Sequence, residues 1–484
     1  MEIRVHNTMT GRKEPFVPIE AGRVGMYVCG PTVYDMSHVG HARVYVTFDV
    51  VARFLRSLGN EVRYVRNFTD LDDKIIRRAN EQGVAAIDIS ERFIAEFQAD
   101  MRALGVREAD VAPKVTEHIA EIVQLIEKIV AHGHAYASGG DVYFAVRSFE
   151  GYGKLSKRNL DQLEAGARVE PGDLKRDPLD FALWKAAKPG EPAWPSPWGE
   201  GRPGWHIECS AMSAKYLGDT FDIHAGGKDL VFPHHENEIA QSEAASGKPF
   251  ANYWLHNGFV QIDNEKMSKS LGNFFTIRDV LERCEAEALR YFLLGTHYRN
   301  PINFSDVALA DAERRVDYLY ETLAKVNERL MGYTPTEGPL LDGGLAEAIV
   351  PNFQKVMADD FNTAEALGLL AEPFALMNQL CEKPRGKKGA DADRTLFALR
   401  AAVTSVGAIL GLLDQDPKVY LLRRRARKAQ EKGIEEALVE TLIQTRTEAR
   451  QAKDFAKADA VRAELSALGV ELMDSPQGTT WKIA

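Results

Sequence analysis

The spacing of apolar residues changes twice within the first 70 positions. Val24-Gly25-Met26-Tyr27-Val28-Cys29 is a short apolar run that stops at Gly30-Pro31, which predicts a buried strand. From Ala42 to Leu58 the apolar residues recur at helical spacing through Val46, Val50, Phe54 and Leu58, so a long helix is expected, stopped by Gly59-Asn60. Glu61-Val62-Arg63-Tyr64-Val65 then reads as a second strand. A strand, a long helix and a strand in this order make a right-handed crossover with parallel strands. Ligands of such sheets sit beyond the carboxyl ends of the strands, and Cys29 and Thr69 both fall at that edge.

A mainly helical stretch follows to about residue 135, and Asp141 to Val146 predicts a strand in a smaller inserted unit. Lys188 to Gly204 holds five prolines and is expected to be an extended connector. A second α/β region runs from Trp205 to about Phe304. Beyond it, Val316, Leu319, Leu323, Val326 and Leu330 form one apolar stripe, so a helical bundle is expected from about 305 to 415. Cys381 to Arg394 is polar and charged and reads as an exposed loop between helices. Phe455, Ala458, Val461, Leu465 and Leu468 predict a helix capped by Asp454 and stopped by Gly469. Val470 to Met473, a turn at Pro476-Gln477-Gly478 and Thr479 to Lys482 then predict a terminal hairpin. The chain shows no internal repeat.

At 484 residues the chain exceeds what one core serves, and 45% hydrophobic with 27% charged residues excludes a disordered or fibrous class. The best apolar uncharged stretch, Ala401 to Leu413, is too short to span a bilayer, and the first residues lack the apolar core of a signal peptide. A cytoplasmic address with no membrane partner is expected. Four cysteines, at 29, 209, 284 and 381, are too sparse for a disulfide framework. The net charge is −10, yet residues 421–484 carry 12 Lys and Arg against 10 Asp and Glu, with five cations at Arg423, Arg424, Arg425, Arg427 and Lys428. That cluster suits a phosphate backbone, and a solvated helix face is equally compatible with it.

The common phosphate motifs are absent. There is no G-x-x-x-x-G-K-[ST], and the literal G-x-G-x-x-G at Gly199 to Gly204 follows a proline-rich connector instead of a strand. Ser37-His38-Val39-Gly40-His41 stands in their place, at the turn from the first strand into the long helix, where free backbone N–H groups and the helix dipole favour an anion. Gly40 lets a flat ligand approach the backbone. Lys266-Met267-Ser268-Lys269-Ser270 offers two ammonium groups three residues apart to a polyphosphate. Taken singly, these segments also suit a polar surface and an exposed basic loop. A third constellation joins Cys29, Cys209, His234 and Glu238. The last two lie four apart in His234-His235-Glu236-Asn237-Glu238 and share a helical face, with His235 expected to point away from it. Two thiolates, an imidazole and a carboxylate are a tetrahedral zinc set, with simple burial of isolated cysteines as the alternative.

Together, HVGH and KMSKS resemble the HIGH and KMSKS pair of class I aminoacyl-tRNA synthetases, and the Cys29, Cys209, His234, Glu238 set is similar to the zinc ligands of the cysteine-specific branch of that family. The likeness extends to the terminal Pro-Gln-Gly-Thr-Thr-Trp. It implies an α/β fold in which a Rossmann-type parallel-sheet catalytic domain (1–125 and 205–304) carries an insertion (126–204). A helical bundle (305–415) that contacts the tRNA stem and a small α+β anticodon-binding domain (416–484) would follow. It implies that the chain activates cysteine with ATP and Mg²⁺ to cysteinyl-adenylate and pyrophosphate. Cysteine would then pass to the 3′-terminal adenosine of tRNA(Cys). By the same resemblance His38, His41, Lys266 and Lys269 contact ATP phosphates, with Gly40 beside them, and Gly226, Gly227 and Asp229 lie near adenosine. Gly30, Thr69 and Trp205 would line the cysteine pocket, His224 would close over it, and the protein would act as a monomer with one Zn²⁺.

The chemistry suits that implication. An apolar pocket separates side chains that differ by one atom by only ~1 to 3 kcal/mol, whereas bound zinc deprotonates a coordinating thiol outright and gains far less from an alcohol. No editing domain is therefore expected. A cysteine:sugar-amine ligase shares the adenylating core but has no use for a basic C-terminal appendage. A catalytically silent nucleic-acid binder would have no reason to keep both histidines and both lysines.

Overall fold

The N-terminal hairpin pairs β1 (Arg4–Asn7) with β2 (Arg12–Pro15), and the predicted crossover follows as β3 (Arg23–Val28), α1 (Val39–Ser57) and β4 (Glu61–Arg66). The computed structural model describes residues 1–160, 174–262, 265–266, 274–385, 389–475 and 478–483. β3 and β4 are parallel, with Val24 opposite Val62 and Val28 opposite Arg66. Val46, Val50 and Phe54 are fully buried, which is why the helix lies on the sheet. α1 begins earlier than its apolar spacing indicates, because His38, in extended conformation, takes the N-cap position and its backbone N–H donates to His41 Nδ1 at 3.2 Å.

After α2 (Asp73–Gln82), α3 (Ala86–Ala103) and α4 (Ile119–Ala131), the insertion forms an antiparallel sheet of β5 (Ala135–Ser138), β6 (Asp141–Phe144), β7 (Phe181–Ala186) and β8 (Gly201–Pro203). The connector expected up to Gly204 thus ends in a strand. Two of the G-x-G-x-x-G glycines are packing residues there: a Cβ at Gly201 would meet Trp184 Nε1 at 2.3 Å, and one at Gly204 would meet the Ala182 carbonyl oxygen at 2.0 Å. β9 (Phe221–Gly227) and β10 (Ala251–Asn257) complete the main sheet in the order β10-β9-β3-β4, with every pairing parallel. The parallel pairings bring four carboxyl ends to one edge: Cys29-Gly30, Asn67 to Thr69, Gly227 and Asn257. A smaller sheet pairs β11 (Val260–Ile262) with β12 (Glu265–Lys266) and with β13 (Ile302–Phe304).

A buried ion cluster fixes α1. The Asp49 carboxylate accepts from Arg53 Nε at 2.9 Å, from the Arg107 N–H at 3.1 Å and from Arg290 Nη2, while Arg290 Nε donates to the Leu410 carbonyl at 2.7 Å. Asp49 and Arg290 are 2% and 1% exposed.

The chain divides into two units, Met1–Glu313 with Asp342–Pro373 and Ala401–Leu412, and Arg314–Leu341 with Phe374–Arg400 and Leu413–Ala484. In the second unit the predicted stripe from Val316 to Leu330 is buried. The loop expected from Cys381 to Arg394 is shorter. The Ala390–Leu410 helix starts within it, and the Arg329 guanidinium, bonded to the carbonyls of Leu380, Cys381 and Lys383 and to Asp393, draws the segment in.

Much of the basic cluster is likewise internal. On the Pro417–Glu431 helix, Arg424 Nε and Lys428 Nζ bond the Asp317 carboxylate at 3.1 and 2.9 Å, together with the Tyr420 hydroxyl at 2.9 Å. Arg425 lies over the Trp481 ring. Trp481 is 3% exposed, donates Nε1–H to Glu440 at 2.7 Å and seals a small core with Val439, Leu465 and Val470. Here β14 (Val470–Ser475) and β15 (Gly478–Ile483) form the predicted hairpin; Pro476 and Gln477 lie outside the described residues. Among the described residues no helix is long and apolar enough to cross a membrane.

Candidate active site

Cys29 leaves β3 at the carboxyl edge, and Cys209 sits in the Trp205–Leu217 helix. His234 and Glu238 flank the start of the Glu236–Ser246 helix. The four ligand atoms lie within 4.8 Å of one another, and all four residues are buried. Cys29 Sγ is 3.9 Å from Cys209 Sγ and 3.6 Å from Glu238 Oε1, and His234 Nε2 is 3.0 Å from the same carboxylate oxygen. A donor set of two sulfurs, an imidazole and a carboxylate suits zinc among the common ions. The supporting contacts are those of a metal centre as well: the outer Glu238 oxygen is held by His224 Nε2 at 2.8 Å, and the second His234 nitrogen faces His206 Nδ1 at 3.0 Å.

The ionisable groups of the cluster act strongly on one another. Burial opposes ionisation of Glu238, but His224 and His234 beside it hold its carboxyl well below the usual range. The hydrogen bond with Cys29 draws the Cys209 thiol down to about 6, while burial pushes Cys29 up. Burial opposes protonation of His234 too, but the Glu238 charge raises it to about 10.

His235 does not point away. It is fully buried, with Nε2 3.3 Å from Cys29 Sγ, and Cys29, His224, His235 and Glu238 form a second possible ligand set. The cause lies in the backbone. Val231–His235 is a wide turn with Phe232 extended at φ −141°, ψ 132°, so the regular rotation of an α-helix does not apply and neighbouring histidines both turn inward. His235 Nδ1 continues to His256 Nε2 at 2.8 Å, and His256 Nδ1 to Thr8 Oγ1 at 2.8 Å. His224, entirely buried, stacks on Trp254 at 4.5 Å and lies against Glu238. The sequence reading missed His206 and His256, because neither shares a spacing with the ligands; they arrive from separate elements.

At the neighbouring end of α1, the His38 and His41 rings stack with centroids 3.9 Å apart, and Gly40 lies between them in the first turn. The Val39 N–H bonds the Phe275 carbonyl at 3.2 Å and the Ile277 N–H bonds the Ser37 carbonyl at 2.9 Å, so the segment following KMSKS is tied to HVGH by backbone. Lys266 lies on β12, while Lys269 is outside the described residues. Gly226 and Gly227 end β9 under close neighbours: a Cβ at Gly226 would meet His235 Cε1 at 3.1 Å, and one at Gly227 would meet Asp229 Oδ1 at 2.5 Å. Asp229 itself is exposed on the short Lys228–Leu230 turn.

Beside the cysteines, a Cβ at Gly30 would fall 1.5 Å from the Asn67 carbonyl oxygen, so only glycine fits. The Gly30 N–H donates to Asn67 Oδ1 at 2.8 Å. Thr69 is 2% exposed and its hydroxyl donates to Glu208 Oε2 at 3.2 Å. Trp205 is 38% exposed and stacks on His234 at 4.4 Å, which puts it at the rim of the cluster and not in the core. Asn67 and Glu208 also escaped the sequence reading, since neither belongs to a recognisable motif.

Comparison with known proteins gives three family matches: the tRNA synthetases class I (C) catalytic domain over residues 15–314, the DALR domain over 352–414, and the cysteinyl-tRNA ligase anticodon binding domain over 435–481. A cysteine–tRNA ligase of Anaeromyxobacter dehalogenans is 59% identical and one of Geobacter sulfurreducens 57%, each with 100% of both chains covered. Among solved structures, Mycobacterium tuberculosis methionyl-tRNA synthetase in complex with methionyl-adenylate shares the fold at TM-score 0.61 and 18% identity, covering 82% of this chain and 92% of that one. With matches that run the length of the chain and a thiol-rich ligand cluster at the sheet edge, this chain belongs to the cysteine–tRNA ligase family of class I tRNA synthetases.

Proposed function

We propose that this chain joins cysteine to ATP as cysteinyl-adenylate, releasing pyrophosphate, and then transfers cysteine to the 3′-terminal adenosine of tRNA(Cys). The observation that carries this reading is the convergence of Cys29, Cys209, His234 and Glu238 at the sheet edge that also bears HVGH. Those four residues would hold one zinc ion, which when bound takes the substrate sulfur as thiolate and so separates cysteine from serine and alanine.

The chain's own groups do the rest. His38 and His41, at the positive end of the α1 dipole, meet the triphosphate of MgATP. Gly226 and Gly227 border adenosine, and Asp229 accepts from ribose hydroxyls. Gly30, Thr69 and Trp205 surround the amino acid, and His224 keeps Glu238 oriented from below. As the cysteine carboxylate oxygen bonds to the α-phosphorus, the bond to pyrophosphate breaks, and Lys266 and Lys269 balance the charge that develops. Residues 435–481 supply the anticodon end, which a ligase acting on a small amine does not need.

Pyrophosphate exchange measured with each of the twenty amino acids, followed by charging of total tRNA, tests the reading. Exchange with cysteine alone and acceptance by one tRNA are expected, and exchange led by any other amino acid would refute it. Lys269→Ala is expected to slow single-turnover adenylate formation by on the order of 10²-fold with little change in cysteine KM. A normal rate would remove Lys269 from the chemistry.

A further inference from the structure

The Trp205–Leu217 and Glu236–Ser246 helices run from the edge that bears the cysteines back to the opposite side of the main sheet, because the chain enters β9 at Phe221 and β10 at Ala251 soon after them. Toward that far side they and α4 enclose a cavity of about 350 Å³. A volume of this order suits a small molecule. Ser210 and Ala214 line it from one helix and Ser242, Ala245 and Ser246 from the other, while Leu125 and Phe250 add apolar wall. His132 Nδ1–H donates to the Ala244 carbonyl at 2.8 Å, which fixes the end of α4 against the second helix.

The polar groups of the cavity differ in what they have left to give. Ser210 Oγ donates to the Glu238 carbonyl at 3.4 Å and accepts from Gln241 Nε2 at 2.8 Å, and Ser246 Oγ accepts from the Lys248 N–H at 3.1 Å. Ser242 is 6% exposed, and its Oγ has no hydrogen-bond partner among the described residues. A buried hydroxyl without a partner is rare in a folded protein, and a ligand acceptor placed beside it would remove the penalty. At the rim, Asp219 is neutralised by Lys248 Nζ at 2.8 Å, whereas Lys128 is exposed and forms no ion pair among the described residues. The cavity therefore offers one uncompensated positive charge, one unused O–H donor and a largely apolar wall. A carboxylate on a flat apolar body matches all three. We infer that this cavity is a second small-molecule site, separate from the adenylating one, that takes an aromatic monocarboxylate, with a carboxylate oxygen accepting from Ser242 and the charge met by Lys128.

Calorimetric titration of the full-length protein with 3-phenylpropionate tests the site, and the uncharged 3-phenylpropanamide of the same shape is the control. The acid is expected to bind with Kd below about 1 mM, a reasonable affinity for a molecule of that size, and the amide at least about fivefold more weakly. Ser242→Ala should weaken the acid about 3- to 10-fold while leaving the urea midpoint of the protein unchanged, since the hydroxyl bonds nothing when the cavity is empty. A hydroxyl that served only the fold would lower the midpoint instead. Lys128→Met, on the exposed rim and so without risk to folding, should weaken the acid and bring its Kd to within about twofold of that of the amide. No heat of binding up to about 10 mM acid, equal affinity for acid and amide in the unaltered protein, or a Kd that neither substitution moves would overturn the assignment.

Discussion

Cys209→Ser is expected to strip the protein of its metal and to lower cysteine-dependent pyrophosphate exchange by on the order of 10³-fold, equivalent to about 4 kcal/mol of lost transition-state stabilisation. The serine is nearly isosteric, so the Trp205–Leu217 helix and its packing survive, and the ATP KM should hold. The donor is what changes. An alcohol stays protonated where the Cys209 thiol, drawn down to about 6, is ready to bind as thiolate. Three donors remain within reach of one another, but Cys29 loses its sulfur partner at 3.9 Å. Metal content by elemental analysis together with exchange rates checks this. A variant that keeps wild-type exchange while holding no metal would refute the ligand assignment.

Asp49→Ala is expected to destabilise the catalytic unit by about 3–5 kcal/mol, read as a lower urea midpoint for its unfolding at unchanged slope. The magnitude follows from what the change leaves behind. Arg290, 1% exposed, would lose the carboxylate that accepts from its Nη2 while remaining buried, and Arg53 would lose its bond as well. Restoring neutrality with Asp49→Ala and Arg290→Met together should recover part of the loss, because an apolar pair avoids the stranded charge. A midpoint within experimental error of wild type would show that the cluster does not hold α1. The same variant reaches function through geometry, since the histidines proposed above to face ATP lie at the start of that helix.

The alternation of strand and helix over residues 24 to 65 was legible because each period is written locally. Apolar side chains that must meet a sheet recur every third or fourth residue whatever lies further along the chain. The stripe from Val316 to Leu330 and the terminal hairpin were legible for the same reason. Misreadings arose where a distant residue decided the outcome. Arg329 reaches across some fifty positions to bond four carbonyls of a segment that composition alone marks as a loop. Asp317 takes up Arg424 and Lys428, which in sequence look like a free cationic patch.

The candidate site divides along the same line. HVGH, KMSKS and the two cysteines with His234 and Glu238 could be picked out from residue type and spacing, because groups suited to phosphate and metal are chemically distinctive. His235, His256, Asn67 and Glu208 could not, and each takes part only after β3, β4, β9 and the Trp205–Leu217 helix have been brought to one edge. The sequence by itself determined which elements form and which reactive groups the chain owns. Tertiary structure alone decided which of those groups share a buried space, since hydrogen bonds and ion pairs act over a few ångströms and nothing in a linear spacing states which strand ends will be neighbours.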